Sequence, residues 1–344
     1  MKHDIVRLVG GDMSGLRVPK ANASQPPTQP NQLCVIDGQL MRAALNEQGA
    51  LEWKTAVDAR VPAYEFGSYT FTPAGATGNI GPTFAQLAFA YGSAPFMASE
   101  ELFTSSNGLQ LLTIPQDGVY EIYLKGAARD GSAAAPAQLT LRLALLTGDV
   151  LTMAVAQQAA NDWAGNGASY IRSKNIGLLA VAGGSGGKAG STNRSPVLTL
   201  YDETSGVPAS GGNSVNSSTI DGKFSTGCGG AGAGGDGAGP NGANLGSPAR
   251  GFVNGSVGGV ITSSGGQQGG FGGGGAGMSG YQTRGVGGGG GYTGGNGSAS
   301  NGSSGGDSAG FGGTNYCRVN NIVSRVAPTA GARGNGSIRI TKVG

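Results

Sequence analysis

The sequence predicts a mainly β protein: an antiparallel sandwich, a tract of glycine-rich polyproline II helices, and a small N-terminal β module. Three observations carry this expectation. Glycine supplies 70 of the 344 residues and crowds into 227–313. Short alternating apolar runs separated by turn residues recur over 61–205. Beyond the glycine tract, Gly336-Ser337-Ile338-Arg339-Ile340-Thr341-Lys342-Val343 nearly keeps the every-second-residue spacing of a strand, which makes sense if it returns to a sheet. The expected division is 1–60, 61–205, 206–326 and 327–344.

Within 1–60, residues 13–31 are rich in Pro, Asn, Ser and Gln and read as an extended arm. Cys34-Val35-Ile36, Leu40-Met41-Arg42-Ala43-Ala44-Leu45 and Leu51-Glu52-Trp53 form candidate strands, with turns at Asp37-Gly38 and Gln48-Gly49. A piece this small has little core of its own. Two readings stand: a module that docks on a partner or trimerises, and a floppy leader.

Residues 61–205 read as short strands. Tyr69-Thr70-Phe71 comes first. Leu109-Gln110-Leu111-Leu112-Thr113-Ile114 precedes an Asp117-Gly118 turn, and Val119-Tyr120-Glu121-Ile122-Tyr123-Leu124 follows it. Leu139-Thr140-Leu141-Arg142-Leu143 alternates, Val150-Leu151-Thr152-Met153-Ala154-Val155 follows a Gly148-Asp149 turn, and 176–182 and 196–201 add two more. Frequent turns between short strands suggest an antiparallel sandwich.

The glycine tract cannot be ordinary core. Runs such as Gly287-Gly288-Gly289-Gly290-Gly291 bring no side chain to bury, while each ordered residue costs about 1–2 kcal/mol of backbone entropy. The tract is therefore disordered or held by backbone hydrogen bonds. Large residues punctuate it (Phe271, Met278, Tyr281, Tyr292, Phe311, Tyr316), few charges solvate it, and a strand follows it. These features favour the second state. Polyproline II helices have three residues per turn and leave their amides free to bond sideways. Without Cβ atoms they pack closely, with Cα–H···O contacts adding a little.

Composition excludes several classes. The formal net charge is +3 with 22 Lys and Arg, and no basic run stands out, so a nucleic-acid partner is not expected. Cys34, Cys228 and Cys317 lie far apart without a CxxC, and His3 is the single histidine. No zinc site and no cofactor are expected from that set. An odd cysteine count favours unpaired thiols over a Cys228–Cys317 disulfide across the tract. Met1-Lys2-His3-Asp4-Ile5-Val6-Arg7 lacks the continuous apolar stretch of a signal peptide. No run is long enough to span a membrane. The expectation is synthesis in a cytosol without secretion.

Phe71-Thr72-Pro73-Ala74-Gly75-Ala76-Thr77-Gly78-Asn79-Ile80-Gly81-Pro82-Thr83 resembles the opening of the glycine-rich domain in the anaplastic lymphoma kinase and leukocyte tyrosine kinase ectodomains. The resemblance continues in order through Ala85-Gln86, Ala90-Tyr91, Ile114-Pro115 with Gly118-Val119-Tyr120, Gly126-Ala127-Ala128, Gly148-Asp149 and Gln157-Gln158. It then takes in Leu178-Leu179-Ala180-Val181-Ala182-Gly183-Gly184, Gly269-Gly270-Phe271-Gly272-Gly273-Gly274-Gly275 and the glycines of 287–295. The resemblance implies an antiparallel jelly-roll-like sandwich with a bundle of glycine-rich polyproline II helices inserted before the last strand, and carries no implication of kinase activity. The wider layout, a docking module, a Pro/Asn-rich arm and a distal glycine-rich domain, resembles a tailed-bacteriophage tail fibre or tip adhesin. That resemblance implies a virion protein made in the host cytoplasm, with its N-terminus on tail or baseplate proteins, and with copies of itself in a homotrimer and a bacterial surface polysaccharide or outer-membrane protein as partners.

No catalytic signature emerges. G-x-G-x-x-G matches carry no weight at this glycine density. Gly186-Gly187-Lys188 is followed by Ala189 where a P-loop needs Ser or Thr. A single histidine nearly excludes Ser-His-Asp and Cys-His systems. Asp117, Asp130, Asp149 and Asp162 are candidates for a glycosidase pair but are more simply turn residues, and Glu100-Glu101 reads as a solvated charge pair. Binding groups are expected in loops between rigid helices. Tyr281, Gln282 and Arg284 in one loop, and Tyr316 and Arg318 in the loop 315–321, suit sugar or protein contacts through flat faces and forked donors. Tyr292 and Phe311 are expected to pack along the bundle. The leading expectation is a non-enzymatic receptor-binding adhesin. The alternatives are a structural head-fibre or decoration protein and a capsule depolymerase.

Overall fold

A computed structural model describes residues 64–344 apart from 192, 214, 221–222, 240–245, 263, 280–283 and 301–307. For 215–220, 223–226, 284, 299–300 and 308 it describes the backbone alone. Before residue 64 it describes Thr28 and the backbone of short strands. Strand accounts for 33% of the residues and helix for 6%, in several antiparallel sheets and no closed barrel, so the chain is mainly β as expected.

Two sheets share the main core. The smaller runs, in spatial order, Ser324–Ala330, Ala137–Leu145, Gly118–Lys125, Ser337–Lys342 and Ser68–Phe71. The terminal strand does return: Ile338 pairs with Leu124 on one side and Phe71 on the other. The larger sheet runs Leu200–Tyr201, Asn315–Cys317, Gly177–Ala182, Ser169–Ser173, Val150–Ala154, Leu109–Thr113 and Phe103–Ser106. Alternation sets the inward faces. Tyr120, Ile122, Leu124, Leu139, Leu141 and Leu143 from one sheet meet Leu112, Leu151, Met153, Ile171 and Leu179 from the other.

One helix, Phe84–Tyr91, closes the end of this core. Thr83 and Gln86 form a capping box at its start, and Leu87 is its buried residue. Sequence reading found neither this helix nor the strands Phe103–Ser106, Ser169–Ser173 and Ser324–Ala330. Tyr91 and Phe96 join Phe71 and Phe103 in an aromatic cluster with ring centroids 5.1–6.1 Å apart.

The glycine segments pack against the outer face of the larger sheet and bond sideways in a three-residue rhythm. Along 287–291, Gly287 donates to Trp163 O and Gly290 to Asn166 O; Gly288 donates to Cys228 O and Gly291 to Ala231 O; Gly289 donates to Phe311 O. Positions three apart thus bond the same neighbouring segment. One further neighbouring segment bonds back with the same spacing, with Gly184 and Gly187 donating to Gly290 O and Gly287 O. Close approach makes glycine obligatory here. A Cβ on Gly165 would run into the Gly288 carbonyl, one on Gly290 into that of Gly272, and one on Gly313 into that of Gly290.

Several expected boundaries move. Segments 163–168 and 183–187, placed in the sandwich by sequence, also supply glycine-array neighbours. Asn315–Cys317 belongs to the larger sheet, and Ser324–Ala330 starts before the expected boundary at 327. Of 196–201, Leu200–Tyr201 alone is strand. Cys228 and Cys317 are free and buried, so the disulfide considered for them is not formed. At the N-terminus Leu33–Ile36, Gln39–Leu45 and Leu51–Thr55 make an antiparallel sheet close to the expected positions. The expected arm is not wholly extended linker, because Arg17–Pro19 pairs with His3–Ile5.

Candidate functional site

The glycine array positions a group of short hairpins. Val215–Ile220 pairs with Lys223–Gly227. Gly277–Ser279, Arg284–Val286 and Ser298–Ser300 pair in sequence. The two groups meet closely: a Cβ on Gly227 would run into the carbonyls of Ser298 and Val286. Cys228, Ile261, Ala276 and Met278 form a small apolar cluster at their roots. The connecting residues 280–283 hold Tyr281 and Gln282, which lie outside the described residues. Arg284 begins the returning strand, and its backbone alone is described.

Tyr316, on the larger sheet, and Arg318, just past the end of its strand, fall elsewhere, so the two candidate groups share no strand pairing. Tyr316 is 5% exposed. Its ring stacks on Tyr292 with centroids 4.7 Å apart, and its hydroxyl lies 3.5 Å from Glu203 Oε2. Burial pushes that hydroxyl's pKa up, and the Glu203 charge adds to it. Arg318 donates from Nε to Asn320 O at 3.1 Å and from Nη1 to Ile176 O at 3.2 Å. Glu203 accepts the Val319 and Asn320 amides at 2.9 and 2.6 Å. Burial alone raises the Glu203 pKa, but those amides outweigh it and hold the carboxyl below its usual range. The loop expected to be a free contact surface is thus fastened to the sheet edge, and the Tyr316 ring offers no open face. Tyr292 packs as expected, its hydroxyl donating to Val207 O at 2.9 Å. Phe311 differs: it is 45% exposed, with the Arg194 guanidinium 3.8 Å above its ring.

The carboxylates considered for catalysis sit in local structure. Asp117 accepts the Thr147 amide and hydroxyl at 2.7 and 2.9 Å. Asp149 accepts the Leu146 amide and Asn175 Nδ2, both at 2.8 Å. Asp162 pairs with Arg129 at 2.8 Å, and Asp130 lies exposed on a turn. In the P-loop-like stretch, the Gly187 and Lys188 amides bond the Gly287 and Asp162 carbonyls. Among the described residues no three His, Cys, Asp or Glu side chains gather as metal ligands. Nor is any described helix long and apolar enough to cross a membrane.

The outer face of the larger sheet carries a feature that sequence reading missed. Register aligns Ala154, Tyr170, Val181, Tyr316 and Tyr201 in one row. The glycine segments cover that row. Phe252 stacks on Tyr170 with centroids 5.1 Å apart, and the Tyr170 hydroxyl donates to Gly291 O at 3.1 Å. A second row, Thr104, Leu111, Thr152, Arg172 and Leu178, is left open. It lies under a groove of about 600 Å³ that continues past Val253, 59% exposed, into another of about 420 Å³. Asp236 holds the turn that carries Val253: it pairs with Arg250 at 2.7 Å and accepts the Gly251 amide and Asn254 Nδ2 at 2.8 Å each. Glu100 and Glu101, expected to be a solvated pair, border the first groove. The signal for this site is Arg172 on a strand with Lys174 just past its end, which becomes legible once the sheet neighbours are known. Compared with known proteins, the chain matches no family model and no curated protein.

Proposed function

We propose that this protein is a phage virion adhesin that binds a bacterial surface through the hairpin ends of a rigid glycine-rich domain. The two sheets are read as a jelly-roll-like sandwich and the cross-bonded segments as a polyproline II bundle. The three-residue bonding rhythm supports the second reading, since a polyproline II helix repeats every three residues. The observation that carries the function is the way interlocked backbone fixes the roots of neighbouring hairpins. Fixing those roots lowers the ordering cost of binding, and copies in a homotrimer would add avidity. The N-terminal strands pair among themselves and are assigned to virion attachment. The action proposed is binding rather than catalysis.

The test is saturable binding of the full chain to whole bacterial cells, with polysaccharide-deficient and protease-treated cells as controls. Removal of 280–283 with a Gly-Gly closure should abolish binding, and no sugar should be released. Undiminished binding by that variant would overturn the assignment to the hairpin ends. Binding to no bacterial surface, with retention on purified virions, would favour a structural head-fibre or decoration protein.

A further inference from the structure

We propose that the open groove on the larger sheet is a second binding site, for an extended protein segment of the pattern basic–x–apolar–x–acidic. This goes beyond the adhesin reading, and because hairpin ends and groove are built of different residues, either can fail alone.

The groove has a floor and two charged sides. Leu109, Leu111 and Val150, all half-buried, form an aliphatic floor. Glu100 and Glu101 precede the edge strand Phe103–Ser106, while Arg172 and Lys174 lie at the strand Ser169–Ser173, three places further into the sheet. All four charged side chains are exposed, and among the described residues none has an ion-pair or hydrogen-bond partner. Some charges elsewhere on the surface are paired, as Arg142 is with Glu121 at 2.7 Å. Free opposite charges on the two sides of an apolar floor complement a ligand carrying both signs around an apolar centre.

Spacing sets the pattern. Neighbouring strands lie about 4.8 Å apart, so the acidic and basic sides are separated by roughly 14 Å. An extended chain advances about 3.3 Å per residue, so positions i and i+4 span about 13 Å. Positions i, i+2 and i+4 also share one face of an extended chain. A basic residue at i therefore meets Glu100 and Glu101, an apolar one at i+2 meets the floor, and an acidic one at i+4 meets Arg172 and Lys174. The aliphatic floor favours a peptide over a sugar. Sugars stack on open flat rings, and the one aromatic ring among the described residues lining this groove, Phe252, is 5% exposed.

The experiment titrates the full chain with acetylated, amidated heptapeptides and follows amide chemical shifts. The probes are Ser-Lys-Ser-Leu-Ser-Asp-Ser, its like-charged forms with two Lys or two Asp, and a form with Leu replaced by Ser. The mixed-charge leucine peptide should shift the amides of Leu111, Thr152 and Arg172 and bind about fivefold or more tightly than the other three. The double variant R172E/K174E, checked for an unchanged melting temperature, should instead prefer the two-Lys peptide. That exchange of preference is not expected of a merely structural role. Equal binding of all peptides, no shift at the groove, or an unswitched preference in the variant would overturn the proposal. Shifts of the same amides on simple dilution would overturn it in favour of a second copy as the occupant.

Discussion

Gly167 lies where two segments of the chain nearly touch: an added Cβ would run into the Phe271 carbonyl, while its own amide and carbonyl bond Gln157 and Ala127. Gly167→Ala should therefore lower stability by about 1–3 kcal/mol in chemical denaturation. Gly67 has nothing within 4 Å of such a Cβ, and Gly67→Ala should stay within about 0.5 kcal/mol. The buried thiols make a second residue-level prediction. Burial pushes Cys228 up to about 12 and Cys317 up to about 11, so neither is a thiolate near neutrality. A thiol reagent with peptide mapping should label both after unfolding and neither before it. Asp236 makes a third. Burial raises its pKa, but donors from Asn254, Gly251 and Arg250 outweigh that and hold it below the usual value. Its stabilisation is thus complete above the unfolded value of about 3.9 and lost as pH falls through the folded one. The melting temperature of Asp236→Asn should lie below that of the natural chain at neutral pH, and the gap should narrow on acidification below about pH 4.

At the scale of elements, the strand Ser337–Lys342 carries the strongest prediction. It lies between Gly118–Lys125 and Ser68–Phe71, and it buries Ile338 and Ile340. Removing 337–344 would strip Ser68–Phe71 of its partner and open the core at two isoleucines. The truncated chain should show no cooperative unfolding transition by calorimetry. This strand was legible because Ile338 and Ile340 alternate with Arg339 and Thr341. Ser169–Ser173 was not: every residue there but Arg172 is buried, since glycine segments cover part of its outer face, and a strand buried on both faces loses its alternation. The helix Phe84–Tyr91 was missed for a related reason. It has little apolar stripe, with Leu87 buried and Phe89 94% exposed, although Thr83 and Gln86 carry the capping signal.

At the scale of the whole molecule, adhesion should be separable from stability. Replacing 280–283 with Gly-Gly touches none of the array bonds along 287–291, so cell binding should be lost while the melting temperature stays within about 2 °C of the natural chain. Comparison by calorimetry alongside the cell-binding assay checks both halves. The sequence by itself determined the mainly β class, the return of the last strand, and the need to hold the glycine tract by backbone bonds. Those follow from local causes: two-residue alternation, turn residues, and glycine's lack of a side chain to bury. It also marked Tyr292 as a packing residue. The tertiary structure alone decided that Tyr316 stacks inward, that Arg318 binds carbonyls, and that Phe311 stays at the surface beneath Arg194. It alone brought Glu100, Glu101, Arg172 and Lys174 around one groove. Whether a side chain is covered depends on which segment crosses over it. In a chain whose segments bond through backbone, that crossing leaves little trace in side-chain pattern.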